Sequence, residues 1–118
     1  MDIHTKRIYE KADSQDGTRI LVDKIWPRGI SKQNAKIDGW WKDVAPSDTL
    51  RKWFHHDPQR WGEFKELYKQ ELRTNSKTIE QLVAEVDRNE PLTLLYGARD
   101  KEHNHARVLK EYIEEEVL

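Results

Sequence analysis

Two stretches far apart in the chain hold the side chains best suited to chemistry. Trp26-Pro27-Arg28-Gly29 sets a guanidinium on a tight corner. Proline fixes φ at the first central turn position and pushes Trp26 towards extended backbone, and glycine suits the close. Tyr96-Gly97-Ala98-Arg99-Asp100, followed by His103-Asn104-His105, adds a second guanidinium, a carboxylate, an amide and imidazoles. Arg28 and Arg99 can neutralise an anion, Asp23 or Asp100 can bind a hydroxyl or act as acid and base, and Asn104 with His105 can orient a ligand. Asp23, Asp100 and His105 are therefore the candidate catalytic residues, and Arg28, Arg99 and Asn104 candidate ligand contacts.

Asp23 stands in the apolar run Ile20-Leu21-Val22-Asp23-Lys24-Ile25-Trp26. In an extended strand it would share a face with Leu21 and Ile25, and a carboxylate so placed needs a cation or several donors, or it takes up a proton. Two readings follow: an ion pair with Arg28, Arg19 or Arg99, or a general base that also accepts a ligand hydroxyl. His105 divides in the same way, between proton exchange and packing at a helix start. The histidines do not predict a metal site. On a helix His103 and His105 would point about 200° apart, and His55 and His56 about 100° apart, so neither pair can grip one ion.

Three segments must position these groups. Ile3 to Tyr9 reads as a strand of mixed polarity suited to an edge, Arg19 to Trp26 as a second, and Leu92 to Tyr96 as a buried third, with Asp16-Gly17 turning between the first two. Helical signals fill Pro27 to Glu90. Ser31 caps a short helix from Lys32 to Ile37, and Ser47 caps one carrying Leu50, Trp53 and Phe54. Asp57-Pro58 opens a helix with Trp61, Phe64, Leu67, Tyr68 and Leu72 on one stripe. Ser76 caps a third, with Ile79, Leu82, Val83 and Val86 at helical spacing, and a last helix runs from about Asn104. Strand, helical excursion, strand is the pattern of a parallel crossover. The expectation is one α/β domain over residues 1–118, a small mostly parallel sheet of about three strands with helices packed on it. Strands two and three lie side by side, and the site lies beyond their carboxyl ends. Trp53 and Trp61 fall on apolar stripes and read as core. Of Trp40 and Trp41, one is expected to be buried and one partly exposed.

Composition narrows the partners. Among 118 residues there is no cysteine, which excludes disulfides and thiolate chemistry. The 21 basic and 22 acidic side chains nearly cancel, so the basic excess usual for holding nucleic acid is missing. Only Arg19 to Lys36 is locally basic, with Arg19, Lys24, Arg28, Lys32 and Lys36 against Asp23 alone. No run is apolar enough to span a bilayer and the amino terminus lacks a secretory pattern, so the expected compartment is the cytoplasm. No cofactor is specified.

Several blocks together resemble a known family. Arg19 to Gly29, Ala45-Pro46-Ser47 through Leu50-Arg51-Lys52-Trp53-Phe54, His56-Asp57-Pro58 with Arg60-Trp61 and Phe64, and Leu95 to Asp100 with His103-Asn104 are similar to the YeaO-like branch of domain-of-unknown-function family 488. The resemblance covers nearly the whole chain. It implies a small intracellular bacterial α/β protein, supplies no reaction, and directs attention to Asp23, Trp26, Arg28, His56, Asp57, Tyr96, Asp100 and Asn104. Trp26 and Tyr96 enter the candidate ligand contacts on that ground, whereas Asp57 is accounted for as a cap. Lys24 stands where the family more often has arginine, which keeps the charge and loses the planar fork.

The leading functional expectation is a site for a small anionic or nucleotide-like ligand, enzymatic or not. The alternatives are nucleic-acid binding through the basic segment and an exposed tryptophan, or a non-catalytic interaction module using the Trp40-Trp41 region or the last helix. The oligomeric state is not legible.

Overall fold

Leu92–Tyr96 (β4) is the strand around which the molecule is built, and all five of its residues are buried. A continuous apolar strand is stable only when neighbours lie on both edges and helices on both faces. The computed structural model, which describes all of residues 1–118, gives it both. Ile3–Arg7 (β1) pairs with one edge of β4 and Thr18–Leu21 (β2) with the other, both in parallel. Gly39–Trp40 (β3) pairs in parallel with the far edge of β2, giving the order β1-β4-β2-β3. The expected neighbours are side by side and the first strand lies at an edge. The fourth strand has only two residues, too short for period-two patterning to betray it.

The second strand is shorter than the expected Arg19 to Trp26. Ladder pairing stops at Leu21 and one further bond, Val22 N–H to Leu95 O at 3.0 Å, carries the chain to the edge. Beyond it the backbone leaves the sheet, so Asp23 and Ile25 do not share an aliphatic face with Leu21. Ile25 is 66% exposed. The turn at Asp16-Gly17 exists as a 3₁₀ turn, Ser14–Asp16, that carries the chain across to β2 with β4 lying between β1 and β2. Gly17 has φ 64° and its Cα abuts the Pro91 carbonyl, where a Cβ would come within 2.2 Å of the oxygen.

The helices are Lys32–Ala35 (α1), Asp48–Phe54 (α2), Trp61–Thr74 (α3), Ser76–Glu85 (α4) and His105–Tyr112 (α5). Ser31, Ser47 and Asn104 cap α1, α2 and α5 by accepting from a backbone N–H in the first turn. Asp57-Pro58 opens a 3₁₀ turn, Pro58–Arg60, that runs into α3. The residue before α4 is Asn75, and Ser76 makes no cap bond. On one sheet face Ile20, Leu94 and Tyr96 meet Phe64, Tyr68, Leu72, Ile79, Val83 and Leu109 in the main core. On the other, Ile8, Leu21 and Leu95 pack under Ala35 of α1. Beside this smaller core Arg19 pairs with Asp16 at 2.5 Å and donates to the carbonyls of Ala35 and Lys36. Trp41 is buried and Trp40 partly exposed, and Trp53 and Trp61 pack against the main core.

Candidate functional site

All three long strands end on the same side of the sheet. Tyr9 follows β1, Asp23 to Arg28 follow β2, and Gly97 and Ala98 follow β4. Together with α2 and the start of α5 they enclose a cleft of about 730 Å³, within the usual range for a small-molecule site.

The loop after β2 is its floor and is tied down by aromatic side chains. Trp40 donates its indole N–H to the Asp23 carbonyl at 2.6 Å, Trp26 donates to the Ile30 carbonyl at 2.8 Å, and Tyr9 donates its hydroxyl to the Arg28 carbonyl at 2.6 Å. The two indoles meet edge to face at 5.4 Å, flanked by Lys42 over Trp40 and Lys32 over Trp26. Both indole N–H groups are spent on this loop, so Trp26 reaches the cleft with its ring.

Within the floor, Oδ2 of Asp23 accepts from the Gly97 N–H at 2.9 Å. A Cβ at residue 97 would stand 2.9 Å from Oδ2 and 3.2 Å from Pro27 Cβ, so any other residue there would displace the Asp23 carboxylate. Oδ1 lies 3.0 Å from Nε2 of His105. The Nε2–H, however, is directed at the Val22 carbonyl, 3.2 Å away, and Oδ1 has no aligned donor. The contact is therefore a close approach and not a hydrogen bond. The cation expected for Asp23 is thus neither Arg28, Arg19 nor Arg99.

The opposite wall comes from the carboxyl end of α2. Arg51, Lys52, Phe54, His55 and His56 all line the cleft. Cations gather naturally at a helix carboxyl terminus, where they oppose the dipole. His55 and His56 both have left-handed backbone, φ 44° and 55°, which costs about 1 kcal/mol or more for each non-glycine residue. Asp48 takes up Lys24 at 3.0 Å and Arg51 at 2.5 Å, and these two contacts, Arg51 first, hold its carboxyl down at about 2. Arg28 and Lys52 have no salt-bridge partner, and the buried Nε of Arg51 has no acceptor. Asp23 is the lone carboxylate among the lining residues, which include Lys24, Arg28, Arg51, Lys52 and four of the five histidines. The cleft is electropositive although the chain carries a formal charge of −1.

The structure brings Asp23, Trp26, Arg28, Asn104 and His105 to this one cleft and leaves three other candidates outside it. Asp100 closes its own loop, accepting from the N–H of His103 and of Glu102 and from the His103 ring, all at 2.9 Å. Those bonds, led by the His103 N–H, hold its carboxyl at about 2. Arg99 is exposed on that loop, and Tyr96 is 2% exposed in the main core, where burial raises its hydroxyl. Of the α2 wall, only His56 is among the residues to which the family resemblance directs attention. The wall's signal was present, since Arg51-Lys52 and His55-His56 crowd the end of a helix immediately before the Asp57-Pro58 break, but only folding turns that end towards the strand tips. No group of three or more His, Asp or Glu side chains is placed to hold a metal ion.

These features define a small α/β protein with a parallel four-stranded sheet and an electropositive cleft at its carboxyl edge. By sequence the chain belongs to the family described as the inactive DUF488-N3 subclade, whose model matches residues 2–118. It is 42% identical over 113 residues to "Uncharacterized protein YeaO" of Escherichia coli (strain K12), covering 96% of this chain and 97% of that one. It is 38% identical over 111 residues to "Uncharacterized protein Rv3073c" of Mycobacterium tuberculosis (strain ATCC 25618 / H37Rv), covering 94% and 92%. No solved structure matches the chain. No helix is long and apolar enough to cross a membrane.

Proposed function

We propose that this protein binds a small organic or inorganic anion in the cleft and does not transform it. The observation that carries the reading is the charge of the walls: Arg28 and Lys52, neither with a salt-bridge partner, and four histidines converge on a space whose one lining carboxylate is Asp23, while Lys24 and Arg51 are engaged by Asp48. Uncompensated cations lining a concave, partly apolar surface are favourable only when an anion is available to them. Absence of chemistry is supported by the lining. It contains no serine, threonine or cysteine to act as nucleophile. Its one carboxylate lacks the second that glycosidic chemistry requires, Asp100 being engaged in its own loop. The family's description as inactive agrees.

A screen of anionic metabolites by thermal shift tests this, since a ligand that binds only the folded state raises the melting temperature. Hits are expected to weaken by about tenfold in Arg28→Ala and in Lys52→Ala. Unchanged affinity in both variants contradicts the reading.

A second reading, general acid–base catalysis by the Asp23–His105 pair, is favoured by the contact between those two side chains alone. Turnover of a screened ligand that is lost in Asp23→Asn would establish it instead.

A further inference from the structure

His105 is the first residue of α5, set there by the Asn104 cap, whose side chain accepts from Arg107 N–H at 3.1 Å. The geometry around its ring fixes which nitrogen carries hydrogen. A carbonyl oxygen accepts and never donates, so the nitrogen facing Val22 O at 3.2 Å is Nε2–H. In the neutral ring Nδ1 then holds a lone pair. Nδ1 has no protein partner and is not closed off from solvent, and the ring lines the cleft.

A lone pair on a ring that lines an anion site repels what the site attracts. Asp23 lies 3.0 Å from the ring, Arg28 and Lys52 line the same cleft without a salt-bridge partner, and Lys24 and Arg51 are engaged by Asp48. The phenol of Tyr68, whose ring centre is 6.5 Å off on α3, stays neutral because burial raises it. His103, His55 and His56 share the cleft. An anion that enters beside the ring favours its charged form.

We infer that the ligand is a fully ionised oxyanion, a sulfate or phosphate group or its ester, which is bound with uptake of one proton at Nδ1 of His105, so that both ring nitrogens donate. This rests on the anion-binding reading above and names the residue and ionisation state through which it works. A ligand that presented a hydroxyl to Nδ1 would need no proton.

Inorganic sulfate is the cleanest probe because it carries no titrating proton of its own across the relevant range. Its affinity for the intact protein, measured by calorimetry at low ionic strength, is expected to fall by about tenfold between about pH 6 and about pH 8. His105→Gln, whose amide can still donate to Val22 O, should show weaker binding with a flat profile. His4→Gln, at an exposed histidine on β1 outside the cleft, should keep the slope. In the wild type, the observed enthalpy should vary with the ionisation enthalpy of the buffer, by one proton taken up. A flat wild-type profile, or a slope that survives in His105→Gln, overturns the inference while leaving anion binding intact. No sulfate or phosphate binding at any pH overturns both.

Discussion

Oδ2 of Asp23 accepts the Gly97 N–H at 2.9 Å, which locks the exit of β2 to the exit of β4 at the floor of the cleft. The bond works because residue 97 has no side chain. Gly97→Ala would place a methyl group 2.9 Å from that oxygen and force the carboxylate away from both Gly97 N–H and His105. The expected result is a loss of about 1 to 2 kcal/mol of stability together with weakened ligand binding, measured by chemical denaturation and calorimetry. An Ala variant with unaltered stability would show that the floor is not rigid.

Asp100 separates a cleft residue from a loop residue. Its carboxylate is consumed by Glu102, His103 and the His103 ring, so Asp100→Ala should leave anion affinity within about twofold while loosening the loop, seen as faster amide exchange at His103. A large loss of affinity would return it to the site.

Acid stability follows from four carboxyls with the same sign, Glu111 being held below its ordinary 4.5 by its hydrogen bond to Lys65 and by Lys69. Asp100 and Asp48 sit at about 2 against an ordinary 3.8. For Asp16 burial pushes upward, but the Asp13 N–H, Lys6 and Arg19 outweigh it and the net direction is down. The folded state therefore binds fewer protons than the unfolded chain in this range. The stabilisation is fully present above 4.5 and is lost as pH falls towards about 2. Denaturation midpoints should be level from neutral down to about pH 5 and fall below it.

The Asp16–Arg19 pair should carry real weight because Arg19 is 5% exposed. Asp16→Asn leaves a buried guanidinium without its carboxylate, and the expected cost is about 3 kcal/mol. Denaturant titration checks it, and a cost below about 1 kcal/mol would place the pair among ordinary surface ion pairs.

How much of this was legible beforehand follows from the range of each interaction. Leu92–Tyr96 announced a central strand because burial on both faces demands a nearly continuous apolar run, and Ser31, Ser47 and Asn104 announced helix starts because capping is local. The meeting of Asp23, Arg28, Asn104 and His105 followed from parallel neighbours alone. Asp23 was misjudged in its surroundings because strand alternation was carried past Leu21, where pairing ends. Asp100 was misjudged because a carboxylate near a strand tip looks the same in sequence whether it faces a cleft or its own turn. The Arg51–His56 wall and the two-residue β3 depend on contacts across the fold, and no local pattern encodes them.

The anion-binding cleft is tested most directly by titrating the protein with inorganic phosphate at low ionic strength and following backbone amide resonances. Saturable shifts are expected at Lys24 to Arg28, Arg51 to His56 and Gly97 to His105, and they should vanish in an Arg28→Ala/Lys52→Ala double variant. Shifts scattered over the surface, or cleft shifts unchanged in that variant, would contradict the account.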